Sequence, residues 1–554
     1  MKKTSFLAVI LLICFKAIAQ MPTLTVGGSV ASLDKVPLNI LGETQGKIVV
    51  LSWVPSMSVG ASMFNSSFRL KDYRIALHDS KTLDETDLLK FPELQVKGIE
   101  KTKKTYVEEM ILRGDTIQIF ATVEDGKTDE QVIVIWNLNA LTLKPYEQYA
   151  QEIGRFYDRK RSDYKAVTIS EQKKYNRIIV AFFNYNDKTE NTSLDIKLFD
   201  NDLNPISTSH AKIGKSKFGS GVQNIDVDRE GNIYVIYAVA EKYNPGWEDN
   251  RWVNVLIVSK DGGEPDIVEI KLNNGDAING EVVVSAKGEV NIIGQYAKLI
   301  DAEDKPKELF AGTYLVRVDP ETKEITKQEE IELTDNQKIS LTTRTLKPIP
   351  AERSRWREMI NMRVSNIYTD PSGTMTLVSY PHYAVGTSSS AYYFCNSLIV
   401  TQFAPEGTIN WQTLVPRAAF INGLNYALDP FIFYIDGQVR VLFNDHGKNK
   451  EYLAEGPKKS TSGKKVKGSD DVDAPIELNA WNVGNTALRF TTINSDGTMN
   501  VEWLEQVGKD EDTKVPAIEA SVKYKINDHE YLTAVYTKYG MLGFQKNAIS
   551  RITF

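Results

Sequence analysis

The chain holds 554 residues, with 66 Lys+Arg against 72 Asp+Glu, a net charge of -6, five His and two Cys, and it is 42% hydrophobic and 10% aromatic. That much apolar and aromatic surface excludes a disordered chain, two cysteines exclude a disulfide scaffold, and a mildly acidic balance gives no reason to expect nucleic acid. Length alone suggests three or four domains at about 150 residues each, a count that a repeat fold replaces with one body.

The first element is an export signal. Met1-Lys2-Lys3-Thr4 is followed by an apolar run from Phe6 to Phe15 and by Ala17-Ile18-Ala19 before Gln20. A basic start, a short apolar core and an A-x-A site describe a secretory signal peptide over residues 1–19. The run is too short for a permanent anchor, and no later stretch of about 18 apolar residues supplies a transmembrane segment after cleavage. A lipoprotein reading through Cys14 is weaker, because the large Ile13 precedes it. The start resembles those of exported proteins of Gram-negative bacteria, particularly the Bacteroidetes, which implies a periplasmic, cell-surface or secreted location. Cleavage leaves Cys395 as the single cysteine, read as a small buried hydrophobe. A reactive thiol would need a base and an electropositive pocket, and His382 is the one nearby base in sequence.

Beyond the leader, strand signals recur and helix signals are almost absent. Gln223 to Tyr237 and Glu281 to Tyr296 share one form: a short apolar strand, a turn with Gly, and a longer strand ending in a polar or aromatic residue. Val364 to Tyr380 repeats it with Asp370-Pro371-Ser372-Gly373 at the turn, and Phe431 to Phe443 with Asp436-Gly437. Tight hairpins need positive φ, which Gly and Asn tolerate. Each hairpin is followed by a second, so four strands make a unit, and units recur at roughly 57 to 60 residues through the middle of the chain. Inner hairpins are expected near 36–53, 106–123, 165–185, 223–238, 280–296, 364–380, 425–443 and 521–537. The eighth unit has a third strand near Leu542 to Phe554, and the segment around Thr23 to Val30 is placed to supply its fourth, closing a ring. The expectation is an all-β chain, 20–554, folded as one β-propeller of four-stranded antiparallel blades. Eight blades are preferred, with seven as the alternative and two separate β-domains as the next architecture.

Asp226 to Val235 resembles the blade hairpin of NHL-type repeats, and the chain as a whole is similar to bacterial secreted β-propellers. The resemblance implies a fold and a habit of binding, not a reaction.

Turns inside hairpins fall on one propeller face, connections on the other. The turns His78 to Asp87, Asp200 to Asn204, Asp261 to Asp266 and Asp319 to Glu324 make the first face acidic. The connector face is near neutral overall but carries basic clusters at Lys97 to Lys104, Arg155 to Lys165, Lys212 to Lys217, Arg353 to Arg363 and Lys458 to Lys467. A solvated surface explains such runs without any partner, whereas an anionic ligand would prefer the second face. Insertions near 342–362, with a helix signal after Pro350, and near 455–475, rich in Lys, Ser, Gly and Asp, are placed to cap the connector face.

Chemistry-bearing patterns are few. His78, His210, His382, His446 and His529 are dispersed without HExxH, HxH or CxxC spacing, so no metal is expected. Asp226-x-Asp228-x-Glu230-Gly231 superficially matches a calcium loop, but Tyr237 stands where a bidentate Glu belongs, and a hairpin turn is the better reading. No nucleotide loop or G-x-S-x-G elbow occurs, a quinone cofactor lacks its regular Trp docking pattern, and no cofactor is expected.

The ends of the long inner strands carry the candidate ligand site: Trp53, Asn184, Tyr185, Tyr237, Gln295 and Tyr296, then Tyr380, His382, Asn444, His446 and Tyr536. Aromatic rings among Asn, Gln and His hold sugars or extended peptides by stacking and directional hydrogen bonds; the alternative is that they finish the packing between blades. The expectation is an exported, non-catalytic propeller that recognises a glycan, a peptide or an envelope protein at its connector face. One alternative is a glycan-cleaving enzyme, lyase or glycosidase, centred on His382, Asp445, His446 and Tyr380, though a glycosidase needs a second carboxylate about 5 to 10 Å away. Another is a structural subunit of a cell-surface complex.

Overall fold

The computed structural model describes residues 22–28, 30–31, 36–53, 70–99, 102–128, 130–156, 167–186, 191–215, 221–240, 251–285, 287–302, 305–334, 337, 362–381, 383–385, 392–395, 397–417, 420–422, 429–447, 449–450, 486–504, 517–540 and 543–554. The proposed leader, the 455–475 insertion and all of the 342–362 insertion except Met362 lie outside them.

Eight four-stranded antiparallel sheets follow one another along the chain as the blades of an eight-bladed β-propeller. In blade 1 the strands are Val36–Thr44, Lys47–Trp53, Tyr73–Asp79 and Glu85–Lys90, and blades 2 to 7 repeat the order first-second-third-fourth. The first strands contact their neighbours around the ring, which places them innermost. Between blades 6 and 7 the Tyr368 hydroxyl makes the link, donating to the Ile432 carbonyl at 3.1 Å.

The sequence sorts strands by depth. Second strands lie between faces of adjacent blades and are buried on both sides, as in the run Ile48-Val49-Val50-Leu51, the continuous apolar pattern of a doubly covered strand. Outermost strands such as Ile325–Glu332, ITKQEEIE, are charged and half-exposed, which protects the sheet edge from pairing with another chain. There is no single core: apolar clusters fill each gap between blades, and the one holding Ile40, Ile48, Val50, Leu532 and Ile549 joins blade 8 to blade 1.

Blade 8 is completed from both ends of the chain. Its order is Thr23–Val26, Gly543–Thr553, Glu530–Gly540, Ala517–Asn527, with Thr23 opposite Thr553 and Val26 opposite Ser550. The N-terminal strand leaves this sheet across blade 1: the Gly28 amide donates to Asp84 Oδ1 at 2.8 Å, and a Cβ on Gly27 would stand 2.5 Å from the Leu83 carbonyl oxygen. Only glycine allows that crossing.

Turn chemistry matches position. Asp436 and Gly437 both have positive φ, 53° and 75°, the pair a two-residue hairpin requires. The third-to-fourth strand turns of blades 1, 2 and 5 share a second device: Asp79, Asn139 and Asp319 each accept two turn amides on one side-chain oxygen. The acid of the sequence's calcium-like stretch is likewise used inside its hairpin. Asp228 accepts from the Gly231 and Asn232 amides, from Asn232 Nδ2 and from the Tyr234 hydroxyl.

One element was not foreseen. Tyr383–Val385, Tyr392–Phe394 and Phe420–Asn422 pair as a separate three-stranded sheet, inserted at the connector end of blade 6.

Candidate functional site

The sequence-selected residues stand at the connector ends of second strands, and nearly all described side chains turn inward. Trp53, Tyr237, Gln295, Tyr296, Tyr380, Asn444, His446 and Tyr536 are buried, and Asn184 is half-buried. His382 and the side chain of Tyr185 lie outside the described residues. Burial alone raises the Tyr237 hydroxyl to about 12; burial first and the nearby Glu332 second do the same for Tyr296. Trp53, Asn184, Tyr237 and the Gln295–Tyr296 pair belong to different blades, whereas Tyr380 and Tyr536 meet in one apolar cluster with Cys395 and Phe443.

In that sector Asp445, named in the sequence, is accompanied by two arginines that the sequence reading missed. Asp445 accepts from the His446 amide and Asn449 Nδ2, both at 2.7 Å, and lies 3.5 Å from Arg489 Nη1. Arg489 also donates to the Pro416 carbonyl at 2.6 Å. Arg417 donates to Cys395 Sγ at 3.2 Å, and both guanidiniums lie against the Phe443 ring, at 4.8 and 5.1 Å. Cys395 is buried, as expected of a small hydrophobe. The Asp445 carboxylate is thus engaged on both oxygens by its own neighbours.

A buried carboxyl, Glu519, stands on the first strand of blade 8. The Tyr536 hydroxyl donates to Glu519 Oε2 at 3.1 Å and the Ser521 hydroxyl to Oε1. Burial pushes the Glu519 carboxyl up to about 8, and the negative charge of Asp429 adds to it, so the group is mostly neutral at pH 7.

An open cavity lies at the other end of the strands. It measures about 610 Å³ and is formed by the first turns of three consecutive blades: 367–371 of blade 6, 431–437 of blade 7, and Lys523, Lys525, Asp528, His529 and Tyr531 of blade 8. Its aromatic floor is rigid. Phe431 and Phe433 stack at 4.5 Å, and Tyr531 meets both edge-on, at 6.2 and 4.7 Å. All three are buried. On the opposite face of the same strand, toward blade 6, Tyr434 stacks with Tyr368 at 5.1 Å and 15°, and both stay partly exposed. The rim is polar and exposed at Asp436, Lys525, Asp528 and His529.

Lys523 occupies the wall between floor and rim. The ladder of blade 8 is broken here, since Glu519 pairs with Ala534 and Lys523 with the adjacent Thr533, leaving residues 520–522 bulged out. The Lys523 ammonium lies 5.9 Å from the Phe431 ring centre. Although Lys523 is exposed, protein atoms crowded around it disfavour its charged form and lower its pKa, against the opposing pull of Asp429.

No family model matches the chain, and no curated protein matches it in sequence. Among solved structures it is similar to other propellers at low identity. BamB from Moraxella catarrhalis is 9% identical, with 96% of this chain and 100% of that one covered and a TM-score of 0.32. The β-propeller domain of the Trilobed protease from Pyrococcus furiosus is 9% identical, with 81% and 94% covered and a TM-score of 0.31. Quinohemoprotein alcohol dehydrogenase from Comamonas testosteroni is 9% identical, with 96% and 76% covered and a TM-score of 0.37. The strand pairing itself establishes the eight blades.

Proposed function

We propose that the protein is an exported, non-catalytic propeller that recognises a glycan, and that the ligand sits in the turn-face cavity between blades 6, 7 and 8. The observation that carries this reading is the lining of that cavity: a stacked pair of partly exposed tyrosines on one side of the innermost strand of blade 7 and a buried aromatic cluster on its other side, inside a rim of charged and imidazole side chains. Sugars present apolar C–H faces and a belt of hydroxyls, and they are held by rings that cover the faces and polar groups that read the belt. The volume is within the range of small-molecule sites, about 300 to 1,000 Å³.

The connector-side strand ends favour a supporting role. Their described rings and amides are buried among the blades, and Asn444 and Tyr536 spend their polar atoms on blade 8. Export rests on the basic, apolar and A-x-A order of residues 1–19. A glycan array probed with the intact protein and with Tyr434→Ala tests the proposal. Saccharide binding that the variant loses supports it; binding to peptides alone, or saccharide binding indifferent to Tyr434, overturns it.

A further inference from the structure

The charges around the cavity are not equally available. Asp370 is committed to its own turn, its Oδ1 accepting the Ser372 amide at 2.8 Å, the Ser372 hydroxyl at 2.5 Å and the Thr374 amide at 3.0 Å. Asp528 is held by Lys525 at 2.6 Å, and Asp436 faces Arg440 at 4.0 Å. The rim acids are each answered. Lys523 is different: among the described residues it makes no ion pair, and its one specific contact is the Phe431 ring. The acidic propeller face therefore has a cation inside its cavity that no carboxylate neutralises by contact.

Asp429 is the carboxylate that acts on Lys523 electrostatically, without an ion-pair contact. An ammonium beside an aromatic face, with no carboxylate in contact, gains from a ligand that brings one. Resting on the reading of the cavity as a glycan site, we propose that the preferred glycan carries an anionic group beside the sugar unit that stacks at Tyr368 and Tyr434, and that Lys523, across the innermost strand of blade 7, binds this group. A lysine is a point charge without the fork of an arginine, so carboxylate and sulfate esters share the chemistry it recognises. His529, exposed on the rim of the same cavity, is placed to act as a second donor.

The test is calorimetric titration of the intact protein with three matched trisaccharides: one ending in glucuronate, one in glucose and one in glucose 6-sulfate. At low salt the two acidic sugars are expected to bind about tenfold or more tightly than the neutral one, the effect of one charge-assisted contact. Lys523→Met should cut that preference to within about twofold, and Lys523→Arg should keep it, which separates lost charge from lost folding. Raising salt should weaken the acidic sugars alone. Equal binding of all three, with Tyr434→Ala abolishing each, overturns the anionic preference and leaves the cavity reading standing. A preference that survives Lys523→Met also overturns it. If no saccharide binds the intact protein, both readings fall.

Discussion

Asn444 and Ile518 exchange two hydrogen bonds across the gap between blades 7 and 8: Asn444 Nδ2 donates to the Ile518 carbonyl and its Oδ1 accepts from the Ile518 amide, each at 2.9 Å. A side-chain amide here stands in for a neighbouring strand. The same device joins blades 4 and 5, where Gln223, Asn224 and Asp226 accept the amides of Gly280, Val282 and Val284 at 3.0, 3.0 and 2.8 Å. Innermost strands have an unpaired edge facing the channel, and these side chains give it partners.

Asn444→Leu removes both partners of the Ile518 peptide groups and leaves them buried. Each orphaned group costs about 1–3 kcal/mol, so the expected loss is about 2–6 kcal/mol in urea unfolding. A loss below about 0.5 kcal/mol contradicts the cross-blade role.

Closure of the ring depends on the N-terminal strand. Gly27→Val places side-chain carbons against Leu83, and overpacking of this kind costs about 1–3 kcal/mol. Deleting residues 22–28 goes further, because it strips the partner from Gly543–Thr553 and exposes a strand edge. A lower melting temperature and concentration-dependent self-association are expected, and size-exclusion chromatography with light scattering measures the second. A monomer of unchanged melting temperature contradicts this account of closure.

Stability should peak in mildly acidic solution. Burial raises Glu519 to about 8 and Glu281 to about 7, so the stability their neutral forms support is full below about pH 4.5 and lost as pH rises through 7 to 8. Asp79, Asp200, Asp319 and Asp496 are shifted the other way by turn hydrogen bonds; their contribution is present above the usual aspartate pKa and lost as pH falls below it. Urea midpoints from pH 3 to 9 should therefore fall on both sides of a maximum, and Glu519→Gln should flatten the alkaline side. Midpoints that climb steadily to pH 9 contradict the burial argument.

The architecture was legible because its determinants are local. Asp436-Gly437 marks a hairpin wherever it occurs between apolar strands, and the segment around Thr23 to Val30 was placed in the last blade by counting strands, where Thr23–Val26 pairs. The site was less legible for a physical reason. Tyr368, Tyr434 and Lys523 come from three blades and meet only after the ring closes. A strand's two-residue period also says that Tyr237 or Tyr296 is on one face, but not whether that face meets the channel or the next blade. Glu519 and Arg489 were not singled out, since nothing local in the sequence signals the burial of a charge. Asn444 and Tyr536 were chosen for the right chemistry, and the structure spends it on Ile518 and Glu519.

The central claim is that ligand binds at the turn-face cavity, and hydrogen–deuterium exchange with and without a bound saccharide tests it most directly. Protection is expected in peptides covering 367–371, 431–437 and 523–531. Protection confined to the connector ends, at 378–381 and 444–446, with the turn-face peptides unchanged, would contradict it.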